Sequence, residues 1–130
     1  MQVILFPYLQ TNFMEPFIIS SQTGVHECTT SEVLRIESVS NYSRIYFTDD
    51  KRPLLVAKVL SYFEDTLPSG TFTRVHRSHL VNRIYIMDVV DCKQFGLQIH
   101  LVNGEIIGVS RRKKAAFKRS CRNNCEIATQ

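Results

Sequence analysis

Asn103-Gly104 is the strongest turn signal in this chain, and it closes a run in which Phe95, Leu97, Ile99 and Leu101 alternate with polar or small residues. A period of two puts one set of side chains on one face of a strand. An Asn-Gly pair supplies the positive φ angles that a tight two-residue hairpin needs. The segment therefore predicts a hairpin, with Glu105–Val109 as its return strand. Similar patterns recur upstream. Phe17–Ser20 and Val25–Thr29 flank a Gln22-Thr23-Gly24 turn, and Leu34 and Ile36 alternate with Arg35 and Glu37 as a half-buried strand. Tyr42–Thr48 places Ile45 and Phe47 opposite Tyr42, Arg44 and Tyr46. Leu54–Ala57 and Phe72–Val75 read as further short strands, and a polar knot, His76–Asn82, follows. Ile84–Val90 is apolar on both faces and reads as a central, buried strand.

Two segments have a helical signature. Val59, Leu60, Phe63 and Leu67 line one face of Lys58–Leu67, opposite Ser61, Glu64 and Asp65, and Pro68-Ser69-Gly70 ends the helix. Ser110 offers an N-cap for a terminal helix over Arg111–Arg122. The fold class that follows is mainly β: small antiparallel sheets packed in sequence, one short internal helix and a C-terminal helix. With 130 residues, 44% of them apolar, one globular domain is the natural organisation. The expected layout is a short N-terminal extension over 1–16, the domain over 17–120 and a tail over 121–130. Met1–Phe13 has no basic start or cleavage site and reads as a short strand or helix packed on the domain. No apolar run is long enough to suggest a membrane span. The four cysteines, Cys28, Cys92, Cys121 and Cys125, form no CxxC pair and read as reduced thiols of a cytoplasmic protein.

The formal net charge of +4 conceals a sharp segregation. Seven basic residues and no acid lie between Ser110 and Arg122, and Arg74, Arg77 and Arg83 occupy a second acid-free stretch; without these ten charges the rest of the chain stands at −6. Such focusing is the footprint of a polyanion binder, although a solvated basic face has the same composition. The terminal helix sharpens the point. Arg111, Arg112, Lys113 and Lys114 crowd its first turn, where the helix dipole is positive and each cation costs roughly 0.3–1 kcal/mol. The arrangement suits an approaching phosphate, on which free N–H groups and cations converge.

Phe72-Thr73-Arg74-Val75-His76-Arg77-Ser78-His79-Leu80-Val81-Asn82, followed by Ile84 and Ile86, resembles the signature of the LytTR family of bacterial DNA-binding domains. Ile36-Glu37 with Asn41-Tyr42-Ser43, and Asn103-Gly104 before Val109-Ser110-Arg111-Arg112, resemble two further family segments in the right order. The resemblance covers about Phe17 to Arg119 and departs at His79, where the family usually has an aromatic residue. It implies a sequence-specific transcription regulator that reads duplex DNA with loops: two enter successive major grooves and contacts across the minor groove join them. Carried over by position, the loops are Asn41–Arg44 (Asn41, Tyr42, Ser43 and Arg44), His76–Ser78 (His76, Arg77 and Ser78) and Ser110–Arg112 (Ser110, Arg111 and Arg112). Arg111 and Arg77, with Tyr42 or Ser43, are the expected base readers. Lys113, Lys114 and Arg74 are the expected phosphate clamps.

The resemblance also implies binding to direct repeats by two copies as a homodimer on DNA. Many relatives carry a receiver domain, and about sixteen residues before the β core are too few for one. The expectation is thus a free-standing member, switched by a membrane-protein regulator. Asn82 reads as a structural hydrogen-bonder and His76 as a residue that orients a neighbouring loop, while Arg83 covers apolar surface with its stem.

The residues also bear on two other classes, an enzyme and an RNA-binding or protein-interaction module. His76-x-x-His79 has a metal-like spacing but lacks a third ligand, and the chain has no phosphate loop or nucleophile elbow, so no enzyme activity, cofactor or small-molecule substrate is expected. An RNA-binding or protein-interaction module is the stronger rival, since Tyr42, Arg44 and Tyr46 could stack single-stranded bases.

Overall fold

The computed structural model describes residues 16–124, apart from Gln22, Asp50 and Ser69. The segment expected to pack ahead of the domain, and Cys125, lie outside the described residues. Strands β1 (Pro16–Ser21) and β2 (Gly24–Thr29) form a hairpin. Then come β3 (Val33–Val39), β4 (Tyr42–Phe47), β5 (Leu54–Val56) and helix α1 (Leu60–Thr66). Strands β6 (Phe72–His76), β7 (His79–Asn82), β8 (Ile86–Cys92), β9 (Gly96–Leu101) and β10 (Ile106–Gly108) precede helix α2 (Arg111–Asn124). The strands make three antiparallel sheets, of two strands, of five in the order β5-β4-β3-β7-β6, and of three in the order β10-β9-β8. The fold is mainly β, as the alternation predicts.

The five-stranded sheet has a core on each face. On one side Val33, Ile36, Ile45 and Leu80 pack with Leu60, Phe63 and Leu67 of the α1 segment and with Ile19 and Cys28 of the hairpin. On the other, Leu34, Val75 and Val81 pack with Leu97, Ile99 and Leu101 of β9 and with Phe117 of α2. This double burial corrects the simple alternation expected for β3. Leu34 and Ile36 enter different cores, because the register of β3 shifts between Val33 and Arg35, and a bulge resets which face each residue meets. Arg35, expected in solvent, is buried. Its guanidinium lies 3.9 Å from the centroid of the Tyr46 ring and donates from Nε to Glu105 Oε1 at 2.8 Å.

Three other expectations change. The polar knot His76–Asn82 is a hairpin in which β6 and β7 flank the two-residue turn Arg77-Ser78; without a glycine or Asn-Gly pair, its turn signal was weak. Ile84–Val90 is not a central strand. Arg83–Tyr85 is a 3₁₀ turn, and β8 is an edge strand whose Met87 is 61% exposed. A short apolar run does not reveal how many neighbours its strand will have. Val59 precedes the first turn of α1 and is exposed, and Phe95 sits in the β8–β9 turn outside the buried row of β9.

Candidate nucleic-acid interface

Strand register brings three separated segments to one end of the five-stranded sheet. The β3–β4 turn carries Asn41, with Ser40 in the left-handed region at φ 58°. Because β7 runs antiparallel to β3, pairing Glu37 with His79, the Arg77-Ser78 turn emerges beside it. Ser38 N–H donates to Ser78 O at 2.9 Å and stitches the two turns together. Ser110 N–H donates to Val75 O at 2.8 Å and holds the start of α2 against β6. Phe117 anchors that helix in the core, so its basic first turn has a fixed position.

Local chemistry explains each segment. Ser110 caps α2 through its hydroxyl, which accepts from Lys113 N–H at 3.2 Å, and the first turn holds no acid. His76, expected to orient a neighbouring loop, is bonded within its own turn: Nδ1 accepts from Ser78 N–H at 3.1 Å. Asn82 is fully buried and bonded on both ends of its amide, its structural role as expected. His79 fills the aromatic position as a half-buried ring 5.6 Å from that of His76, with Nδ1 buried and unpartnered. Burial lowers its pKa; Arg35 and His76 push the same way, against Glu37 and Glu105.

The residues expected to touch DNA fall into two groups. Asn41, Tyr42, Arg77, Arg111 and Arg112 are exposed, and Arg44, Ser78, Ser110 and Lys113 are partly so. Among the described residues, Arg44, Arg77, Arg111, Arg112 and Lys113 form no ion pair. The second group is engaged within the protein. Ser43 is fully buried and donates its hydroxyl to Lys58 O at 2.6 Å, which removes it from the candidate readers. Arg74, expected as a phosphate clamp, spends its guanidinium on Glu64 and on the carbonyls of His76 and Arg77. Lys114 and Lys118 flank Asp91 at 3.5 and 2.8 Å; the Lys118 hydrogen bond, helped by Lys114, lowers the Asp91 pKa.

Sequence reasoning missed Glu64, which it placed on a solvent face, and the link from Arg35 to Glu105 across 70 positions. Neither has a local signal. The Tyr42–Arg44–Tyr46 face is not an open stacking platform: Arg35 covers Tyr46, whose hydroxyl donates to Glu37 Oε1. Among the described residues no group of three His, Cys, Asp or Glu side chains could hold a metal ion, and no helix is long and apolar enough to cross a membrane.

Comparison with known proteins agrees with this geometry. A solved LytTr DNA-binding domain from Bacillus cereus superposes with a TM-score of 0.70 at 22% identity, covering 81% of this chain and 94% of that one, which supports the fold. The Sensory transduction protein LytR of Staphylococcus haemolyticus is 28% identical over 83 residues, which make up 64% of this chain and 29% of that protein. This chain thus spans less than a third of that relative's length. The family model of the LytTr DNA-binding domain matches residues 24–122. With the matched stretch running from Gly24 to Arg122, the chain belongs to the LytTR family of DNA-binding domains.

Proposed function

We propose that this chain is a transcription regulator that reads duplex DNA in a sequence-specific manner with its three convergent turns, two copies sitting on direct repeats about one helical turn apart. The observation that carries this reading is the joining of the Asn41, Arg77 and Ser110 segments by backbone hydrogen bonds, with Arg77, Arg111 and Arg112 exposed and, among the described residues, free of ion pairs. Arginine suits base reading, because its fork can grip guanine O6 and N7 together, a pairing that contributes about 1–3 kcal/mol of discrimination. Lys113, unpaired at the capped start of α2, acts on phosphate, where an anion meets both the ammonium and free N–H groups. With Tyr46 covered, stacking of single strands has little surface to use, so duplex is the favoured polymer.

The test is binding to random and selected duplexes across a salt series. Lys113→Ala should flatten log K against log salt by about 0.9, the share of one phosphate contact. Arg111→Ala should relax the selected sequence. Single strands of equal length should compete poorly. A salt slope indifferent to Lys113→Ala, with no sequence selected by the wild type, would overturn the reading. Control by a membrane-protein regulator belongs to the same proposal and predicts co-purification from detergent extracts; recovery of the protein alone counts against it.

A further inference from the structure

Arg74 lies in the basic stretch, yet every nitrogen of its guanidinium donates inward. Nε donates to His76 O at 3.0 Å, Nη2 to Arg77 O at 2.7 Å and Nη1 to Glu64 Oε1 at 2.6 Å. Its side chain is 20% exposed, against 36% for Glu64. The same two-residue turn is tied at two more backbone groups, Ser78 N–H to His76 Nδ1 and Ser78 O to Ser38 N–H. Three backbone polar groups of the turn, and the His76 carbonyl just before it, are therefore fixed, and the exposed Arg77 side chain projects from a rigid support.

We infer that Arg74, held by Glu64, is a positioning residue that presets the Arg77 turn for DNA reading and is not itself a DNA contact. The inference rests on the proposed duplex-reading function and assigns within it a role for α1, a helix that belongs to none of the three turns. The carbonyls of His76 and Arg77 point at the guanidinium, so the turn keeps their partial negative charge satisfied by the positive group that braces it. The three acceptors are met by three separate nitrogens of one planar fork, a spread that the single ammonium nitrogen of lysine does not reproduce. Glu64 fixes the plane of that fork. A turn ordered before binding spares the complex the entropy of ordering it afterwards.

The two roles open to Arg74 make opposite predictions for Glu64→Gln. If Glu64 is only an acid near the interface, its neutralisation strengthens binding to every duplex and leaves discrimination unchanged. If it holds the brace, Glu64→Gln lowers the ratio of selected-site to random-duplex affinity by about tenfold, the scale of freeing one short turn, with the salt slope unchanged. Arg74→Lys separates the roles again. A phosphate contact would survive with affinity and slope intact, whereas the brace predicts the same loss of discrimination as Glu64→Gln. Both variants are checked for native circular dichroism and melting temperature, and Glu64→Gln, at an exposed position, is the one expected to fold without cost. Arg77→Ala is the reference. If it loses discrimination while Glu64→Gln and Arg74→Lys keep theirs, the brace is refuted and the DNA reading stands. If Arg77→Ala also changes nothing, the reading function of this turn fails first.

Discussion

Asn82 gives the sharpest test of how this domain is held together. Its amide is fully buried and ties two 3₁₀ turns to the start of β3. Nδ2 donates to Thr30 O at 3.1 Å, in the 3₁₀ turn before β3, and to Val33 O at 2.8 Å, at the β3 bulge. Oδ1 accepts from Ile84 N–H at 3.3 Å, in the 3₁₀ turn before β8. Asn82→Ala deletes all three bonds and leaves two carbonyls and one N–H facing a small void. A buried polar group without its partner costs about 1–3 kcal/mol. Carbonyls tolerate the loss better than N–H groups, so about 1–1.5 kcal/mol for each carbonyl and about 1–2 kcal/mol for the N–H sum to about 3–5 kcal/mol. Native stabilities are only roughly 5–15 kcal/mol, so the variant should be close to the folding threshold. At roughly 4 °C per kcal/mol for a domain of this size, its melting temperature should fall by about 12–20 °C. The chain has no tryptophan, so urea unfolding is best followed by far-ultraviolet circular dichroism, with the m-value checked for constancy. Asn82→Asp keeps the shape but turns the donor into a charge facing two carbonyls, and should be at least as damaging. A loss below about 1 kcal/mol in Asn82→Ala at unchanged m-value would refute the idea that this amide stitches the three segments together.

His79 should make stability depend on pH. Its pKa in the folded protein lies below the ordinary value of 6.5, because burial penalises the imidazolium, so the unfolded chain binds the proton first as pH falls. The stabilisation is therefore fully present above about pH 6.5 and declines below it, towards the folded-state value. His79→Phe should remove that part of the decline, read as urea midpoints at pH 7 and 5.5; an unchanged difference between the two would contradict the assignment. Phe117, 3% exposed, anchors the basic helix, and Phe117→Ala should cost about 3–5 kcal/mol. Because it loosens α2 from β6, it should also weaken duplex binding although no charge is lost. Full binding by a variant so destabilised would show that the helix start does not depend on that anchor.

Features that depend on neighbours in the chain were legible from sequence. The alternation of Leu97, Ile99 and Leu101, the faces of β4 and the Ser110 cap are set by backbone period and local hydrogen bonding and stand as read. The hairpin turns at Asn103-Gly104 as well, but through the three residues Val102, Asn103 and Gly104, with positive φ at Gly104 and not at Asn103. The segregated basic residues pointed to a polyanion binder, and the Phe72–Asn82 motif to the family that the matched residues establish. What tertiary structure alone decided was which groups were left available. Arg74 and Arg77 are equally basic in sequence, yet one bends under its turn to meet Glu64 and the other projects. Lys113 and Lys114 are adjacent, yet only Lys114 meets Asp91 of a distant strand. Leu34 and Ile36 share a parity that one bulge separates, and β8, for all its Ile, Met and Val residues, lies at an edge. In each case the deciding partner sits on another element, and the side-chain type does not record whether the fold will bring that partner within hydrogen-bonding or packing distance.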